Sequence, residues 1–335
     1  MFTKDRPEAL SKSLSQVTNV DMPVIVLDDS TNPEATKLIV NNFAKKENNI
    51  YYHGGFEQKK ILQKVSNLIS DLDYFIKPLG KNGWNLGYVR NYAIIISKAL
   101  NFERVIFMDD DIIIKDYNIV QEMMKLLDNG DLVGAKISGM PDDSVVGHIM
   151  RELGMKSHEF LSGGFLAFNL DSVSEYFLNY YNEDWIWLFL HKPKAKLINH
   201  GEVYQLPFNP FENVPERALQ QEFGEILVEG IRYVIEYDKD ISIVVKKDLW
   251  NYMLNKRTEI IEEITMVSEH SNFKIGAIVG KSLLEYIQNI QSENFVDVFT
   301  GYLKRREFWL KLIKSSNNSG TVGNNLTGDV IYGKI

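Results

Sequence analysis

The sequence predicts an α/β fold: a mixed, mainly parallel sheet flanked by helices, followed by a mostly helical C-terminal appendage. Three observations predict it. Short apolar runs alternate with amphipathic helical stretches, the pattern of a sheet covered on both faces. Two of these runs, Pro23–Leu27 and Arg104–Met108, end in acids, as strands do when their carboxyl ends open on a ligand crevice. Beyond Pro207, Pro210 and Pro215 the strand signal gives way to long helical stretches.

The bulk properties fit. The chain has 335 residues, 44% hydrophobic and 24% charged, as in a soluble globular protein with ample core. A formal net charge of −8 argues against nucleic acid as a partner. With no cysteine there is no disulfide, thiolate metal site or cysteine nucleophile. No apolar run is long enough to span a bilayer, and the N-terminus does not read as a signal peptide, so a cytoplasmic location is expected.

Phe2-Thr3 reads as the end of a first strand. Asp5 is a candidate N-cap, Pro7 suits a first helical turn, and Leu10, Leu14 and Val17 form a helical stripe. Val24–Leu27 is the second strand, followed by turn residues Thr31, Asn32 and Pro33 and a helix over 34–45. Tyr51–His53 is a short third strand. Gln58 to Leu72 carries Ile61, Leu62, Val65, Leu68, Ile69 and Leu72 on one helical face. The loop Asn82-Gly83-Trp84-Asn85-Leu86-Gly87 opens a helix reaching about Leu100. A helix start is a ready anion site, and Arg90 in the first turn adds a bidentate phosphate donor.

Arg104–Met108 reads as a buried strand running into Asp109, Asp110 and Asp111. Three acids cannot be buried unpaired, so they must emerge at a sheet edge and meet positive charge. Asp109 and Asp111, at alternate positions, share one side of an extended chain. That arrangement suits a hard divalent cation that keeps water and phosphate as its other ligands. A solvated acidic turn is the plain alternative.

A helix over 118–127 and a strand over 132–137 follow. Residues 141–159 read as a polar loop with a short helical patch at 149–153, and His148 and His158 read as surface histidines. Phe160–Asn169 is a strand whose Gly163-Gly164 pair marks a bulge or the close approach of another group. A helix is expected over 172–181. Glu183 and Asp184 open an aromatic helix, either as acids favoured by its dipole or with one of them a general base. Lys196–His200 is a short strand. Further helices are expected over 216–232, 249–268, 275–290 and 296–313, with a strand over 241–245. Residues 299–314 form a basic, aromatic amphipathic helix that docks on the core or lies on an anionic membrane, with docking the favoured reading. The Ser/Asn/Gly-rich tail from Ser315 has a disordered composition.

In this order, Thr3-Lys4-Asp5-Arg6-Pro7, Leu27-Asp28-Asp29-Ser30, Asn85-Leu86-Gly87-Tyr88-Val89-Arg90-Asn91, Met108-Asp109-Asp110-Asp111, Ser162-Gly163-Gly164, Glu183-Asp184 and His200 resemble the inverting, family-2-like glycosyltransferases of the GT-A (nucleotide-diphospho-sugar transferase) fold. The resemblance covers roughly the first 210 residues. It implies a catalytic domain over 1–212, with a nucleotide-sugar half over 1–112 and an acceptor half over 113–212. A helical region over 213–314 and a tail over 315–335 complete the chain. The implied activity is metal-dependent sugar transfer, with inversion, from a UDP- or GDP-type donor to a hydroxyl of a glycan, lipid-linked or protein acceptor. The resemblance sets Thr3, Arg6, Asp28 or Asp29, Asn85, Gly87, Arg90, Asp109, Asp110, Gly163 and Gly164 around the donor. It sets Mn²⁺ or Mg²⁺ on Asp109 and Asp111, completed by His200, and makes Asp184 the base with Glu183 second. One departure is Trp185-Ile186-Trp187-Leu188, where the family pattern is polar and contains arginine; this implies an apolar or aromatic acceptor surface. Self-association and peripheral membrane contact through 299–314 are further expectations.

Three other readings are weaker. A sugar-1-phosphate nucleotidyltransferase would want a glycine-rich, basic N-terminal loop, and none is present. An aspartyl-phosphate hydrolase would need a Ser or Thr and a Lys at later strand ends. A catalytically inactive relative, binding a glycan or partner through the same cleft, would not need both acidic pairs and His200.

Overall fold

The computed structural model describes residues 1–17, 20, 22–47, 49–55, 58, 75, 85–155 and 161–315. Most of the helix expected over 58–72, loop residues 82–84, His158, Phe160 and the tail from 316 lie outside the described residues.

Strands β1 (Phe2–Thr3), β2 (Val24–Asp28) and β3 (Ile50–His53) pair in parallel, in the order β1-β2-β3. Strands β4 (Arg104–Met108), β5 (Ile112–Ile113), β6 (Leu132–Gly139), β7 (Phe165–Asn169) and β8 (Leu197–Gln205) pair in the order β4-β7-β6-β8-β5. A parallel bridge between Phe2 and Asp109 joins the two groups across β1 and β4. Of the eight, β7 and β5 run against the others, so the sheet is mixed and mainly parallel, as expected. From β1 the chain winds outward to β2 and β3, then returns to lay β4 on the other side of β1. Such a reversal of strand order leaves a crevice at the carboxyl ends of the strands.

Among the described residues six helices accompany these strands: α1 (Pro7–Val17), α2 (Glu34–Ala44), α3 (Leu86–Ala99), α4 (Asn118–Leu126), α5 (Val145–Glu152) and α6 (Glu183–His191). Leu10, Leu14 and Val17 of α1 are buried as their stripe requires. One core cluster joins α1, α2 and α4 to the sheet through residues such as Leu14, Val40, Met123 and Val133. A second holds α3, α5 and α6 and continues into the C-terminal helices through Trp187, Ile231, Trp250 and Trp309.

The C-terminal appendage is helical: α7 (Glu216–Glu236), α8 (Lys247–His270), α9 (Lys274–Gln288) and α10 (Ser292–Ser315). On α10, Phe295, Phe299, Tyr302, Trp309, Leu312 and Ile313 are buried, and Trp250 stacks on Phe295 and Phe299 at centroid distances of 4.9 and 5.4 Å. Each such buried side chain contributes roughly 1.5–3 kcal/mol. Buried Glu175 accepts hydrogen bonds from Tyr302, Arg306 and Lys194, clasping α10 to the α/β part. Most of the apolar residues of 299–313 are therefore packed on the core, while Leu303 and Phe308 remain exposed. Among the described residues no helix is long and apolar enough to cross one.

Some local expectations fail for identifiable reasons. Residues 241–245 form a 3₁₀ turn, capped by Asp240 accepting from Ser242 N–H at 2.8 Å, and only Val244 is buried. Beyond a 3₁₀ turn at Leu170–Ser172, residues 173–181 are irregular. There the Asn91 side chain substitutes for a helical ladder, accepting from Phe177 N–H at 2.8 Å and donating to Phe177 C=O at 2.9 Å. Asp5 sits at φ +54° and accepts from Thr31 N–H at 2.8 Å instead of capping α1. Ser144 caps a full helix over 145–152, which buries His148 to 5% exposure beside Phe208 and Phe211.

Candidate active site

A cleft of about 1260 Å³ opens at the carboxyl ends of β1, β2 and β4. The α/β part supplies one wall, and α7 and α8 supply the other. Among the described residues twelve acids and six bases line it.

The acidic turn after β4 is built from unlike residues. Asp110 is fully buried; Thr3 donates to it at 2.7 Å and Arg6 pairs with it at 2.6 Å. Burial pushes its carboxyl up to about 7, against the pull of Arg6 and Thr3. Asp111 pairs with Arg6 at 2.7 Å and receives a long 3.4 Å contact from Gln205 Nε2. Asp109 pairs with Arg90 at 3.5 Å, and among the described residues its buried Oδ1 has no hydrogen bond. Burial lifts its carboxyl to about 6. The chain turns at 110–111, so the expected extended pair of Asp109 and Asp111 is a turn; both nevertheless line the cleft.

Arg90 does not stand at the surface of its helix start. It is 2% exposed, between Asp109 and Glu183 at 3.5 Å each, with its guanidinium over Phe2 at 5.5 Å and Phe177 at 5.7 Å. Among the described residues its Nε and Nη1 have no hydrogen-bond partner. Burial lowers its pKa, but Glu183, Asp109 and Asp184 outweigh that and hold it above the usual value.

The Ser162-Gly163-Gly164 turn faces these groups. A Cβ on Gly163 would lie 2.1 Å from Arg90 Nη1 and 2.6 Å from Asp184 Cβ, so only glycine fits without a shift. Gly164 is held to the acidic turn, with Asp109 N–H donating to its carbonyl at 2.9 Å. Asp184 accepts from Gly163 N–H at 2.6 Å and from Trp185 N–H at 2.8 Å.

Several expected residues fall elsewhere. Asp28 is buried as a bracket, accepting from Tyr52 at 2.8 Å and from Ser30 N–H at 2.9 Å, whereas Asp29 lines the cleft with Lys4 at 3.2 Å and Asn85 beside it. Gly87 is a packing glycine: a Cβ there would lie 2.4 Å from the carbonyl of Leu178. His200 does not join the acids. Its strand continues to Gln205, and at position 200 the imidazole pairs with Glu122 of α4 at 2.8 Å, outside the cleft. Gln205, at the strand's end, occupies the place expected of it. Among the described residues no three His, Asp or Glu converge as a metal-binding group.

Sequence reasoning missed Asp142 and the far wall. Asp142 accepts a hydrogen bond from Ser162 and lies in the cleft, its carboxyl lifted to about 7 by its surroundings and then by Asp184. On the far wall Arg257 meets Glu222, Glu225 and Glu229, and Glu225, which accepts from Asn182 at 2.7 Å, is lifted by burial to about 7. The only hint was the i, i+3, i+7 spacing of these glutamates.

No family model matches the chain, and no curated protein matches it in sequence. Solved structures similar to it include M. tuberculosis glucosyl-3-phosphoglycerate synthase, 15% identical, with 72% of this chain and 81% of that one covered at a TM-score of 0.45. A mannosyltransferase from Pyrobaculum calidifontis, in complex with GDP-Man and Mn²⁺, is 10% identical, with 95% and 85% covered at a TM-score of 0.44. A mycobacterial protein is 17% identical, with 72% and 75% covered at a TM-score of 0.44.

Proposed function

We propose that the chain is a metal-dependent glycosyltransferase of the GT-A type, with residues 1–212 as its catalytic unit and 213–314 forming the acceptor wall. One observation carries the reading. Three acids stand at the carboxyl edge of the sheet where the strand order reverses, and a second acid pair faces them across the same cleft. A nucleotide-diphosphate sugar suits the first side, and an acceptor hydroxyl the second.

The cleft fits a divalent cation. Asp109 Oδ1 and Gln205 Oε1 are buried without hydrogen bonds, Asp109 and Asp111 line the cleft, and acids outnumber bases two to one. Mn²⁺ or Mg²⁺ would be held by Asp109 and Asp111, its remaining positions left to water and phosphate. When bound, such a cation neutralises charge on the leaving diphosphate. The chain's own residues do the rest. Arg6, Lys4 and Arg90 add positive potential beside the diphosphate, and Asp29 and Asn85 meet the nucleoside. Gly163 and Gly164 let the donor sugar approach the main chain. On the opposite side, Asp184, with Glu183 behind it, is the base nominated for the acceptor proton. A single base and in-line displacement give inversion.

The test is to incubate the protein with Mn²⁺ and a panel of UDP- and GDP-sugars, measuring thermal stabilisation and nucleoside diphosphate release, with Asp111→Ala alongside. At least one donor is expected to stabilise and turn over in the wild type only with Mn²⁺, and Asp111→Ala to lose both. Stabilisation without turnover, across all acceptors tried, would favour an inactive binding protein. No stabilisation by any donor would overturn the reading.

A further inference from the structure

Two carboxylates flank the Ser162–Gly164 turn, and they are held in opposite ways. Asp184 is 9% exposed, and main-chain N–H groups donate to both its oxygens, from Gly163 at 2.6 Å and Trp185 at 2.8 Å. Such donors fix the group in place and take one acceptor position on each oxygen. Asp142, in the loop after β6, is open to the cleft. Its Oδ2 accepts from the Ser162 hydroxyl, and Ser162 Oγ accepts from Gly164 N–H at 3.0 Å. Among the described residues its Oδ1 has no hydrogen-bond partner.

We propose that Asp142 is the carboxylate that takes the acceptor's proton, with Asp184 as the fixed charge that positions the turn beside it. This rests on the glycosyl-transfer reading, and it moves the proton from the residue nominated by sequence to one that reasoning passed over. In the step, a lone pair of the acceptor oxygen forms the bond to the anomeric carbon. The bond from that carbon to the diphosphate oxygen breaks, and its electrons leave with the diphosphate. The hydroxyl proton passes to Asp142 Oδ1, leaving a neutral carboxyl.

The electrostatics agree. Desolvation by the cleft walls, then Asp184, raise its carboxyl above the usual range, and Ser162 pulls it down. Asp109 and Asp111 on the acidic turn act with Asp184, and Arg90 on α3 and Tyr181 before α6 also face it. A base poised near the working pH is the efficient one.

Asp142→Asn, Asp142→Glu and Ser162→Ala test this. The readouts are Mn²⁺-dependent nucleoside diphosphate release from UDP-glucose and GDP-mannose, water standing in for the acceptor, and thermal stabilisation by the same donors. Asp142→Asn is expected to lose about 100-fold or more in kcat while keeping donor stabilisation, and Asp142→Glu to recover part of the rate. Wild-type kcat should rise with pH along a limb above the usual carboxylate range, a limb missing from the residual activity of Asp142→Asn. Ser162→Ala, which removes a donor to the carboxylate, should move that limb up. An Asp142→Asn enzyme within about threefold of wild type, with the same limb, overturns the proposal; so does loss of donor stabilisation in that variant. If no donor stabilises the wild type, the glycosyl-transfer reading itself fails, and this inference with it.

Discussion

Two buried arginines divide the molecule between them. Arg257, between α7 and α8, is 2% exposed and fully used: it donates to both oxygens of Glu222 at 2.7 and 2.8 Å and to Glu229 at 2.9 Å. Arg90, on α3, is equally buried, but its nearest carboxylates stand at 3.5 Å and two of its nitrogens have no hydrogen bond. The first is a finished structural joint. The second is a charge kept buried and under-coordinated, so its field is directed at whatever enters between Asp109 and Asp184. Saturated polar networks rigidify a fold, whereas unsaturated ones mark where it is prepared for a ligand.

The two should respond differently to mutation. Arg257→Met leaves Glu222 buried without its partner and is expected to cost about 3–5 kcal/mol in urea unfolding. Arg90→Met also removes the guanidinium over Phe2 and Phe177 and leaves Glu183 without this cation, but the ion pairs lost are long, so a smaller loss of about 1–3 kcal/mol is expected, together with loss of nucleotide-sugar turnover. Equal stability losses, with turnover surviving in Arg90→Met, would erase the distinction.

Next in size, Gly163→Ala pushes a methyl into the space of Arg90 Nη1 and the Asp184 Cβ. A loss of about 100-fold in kcat is expected, with about 1–3 kcal/mol of stability lost as well, read by kinetics beside a denaturant curve.

The acids give a pH signature. Asp109 at about 6, and Asp110 and Asp142 at about 7, all lie above their usual 3.8. The folded state therefore binds more protons than the unfolded one from about pH 4 to 7, and these groups lower stability as pH rises through that window. A cation on Asp109 and Asp111 opposes the effect. Mn²⁺ should raise the Tm by more at pH 7.5 than at pH 5.5, where protons compete; thermal denaturation at both pH values checks this. The smallest effect belongs to His200. Paired with Glu122 away from the cleft, it should be replaceable by Ala with Mn²⁺ affinity within about twofold, measured by calorimetry.

What could be read in advance was local. The apolar run of β4, its acids, the stripe of α1 and the long C-terminal helices all follow from periodicity and composition. What escaped depended on register and on distant partners. A histidine at 200 looked like a strand end, but β8 runs five residues further, and only its pairing with β5 and β6 shows that Gln205 is the residue arriving beside Asp111. Asp142 carries no motif; it matters because Ser162, 20 positions away, folds back onto it. The segment 173–181 had helical composition, yet the side chains of Asn91, Trp187 and His191 pin its backbone.

The most direct test of the central claim is calorimetric titration of the wild type and Asp111→Asn with GDP-mannose and UDP-glucose, with and without Mn²⁺. The account predicts binding of at least one donor by the wild type that needs Mn²⁺ and weakens by about tenfold or more in Asp111→Asn. Donor binding that is indifferent to Mn²⁺ and to Asp111, or no binding at all, would contradict it.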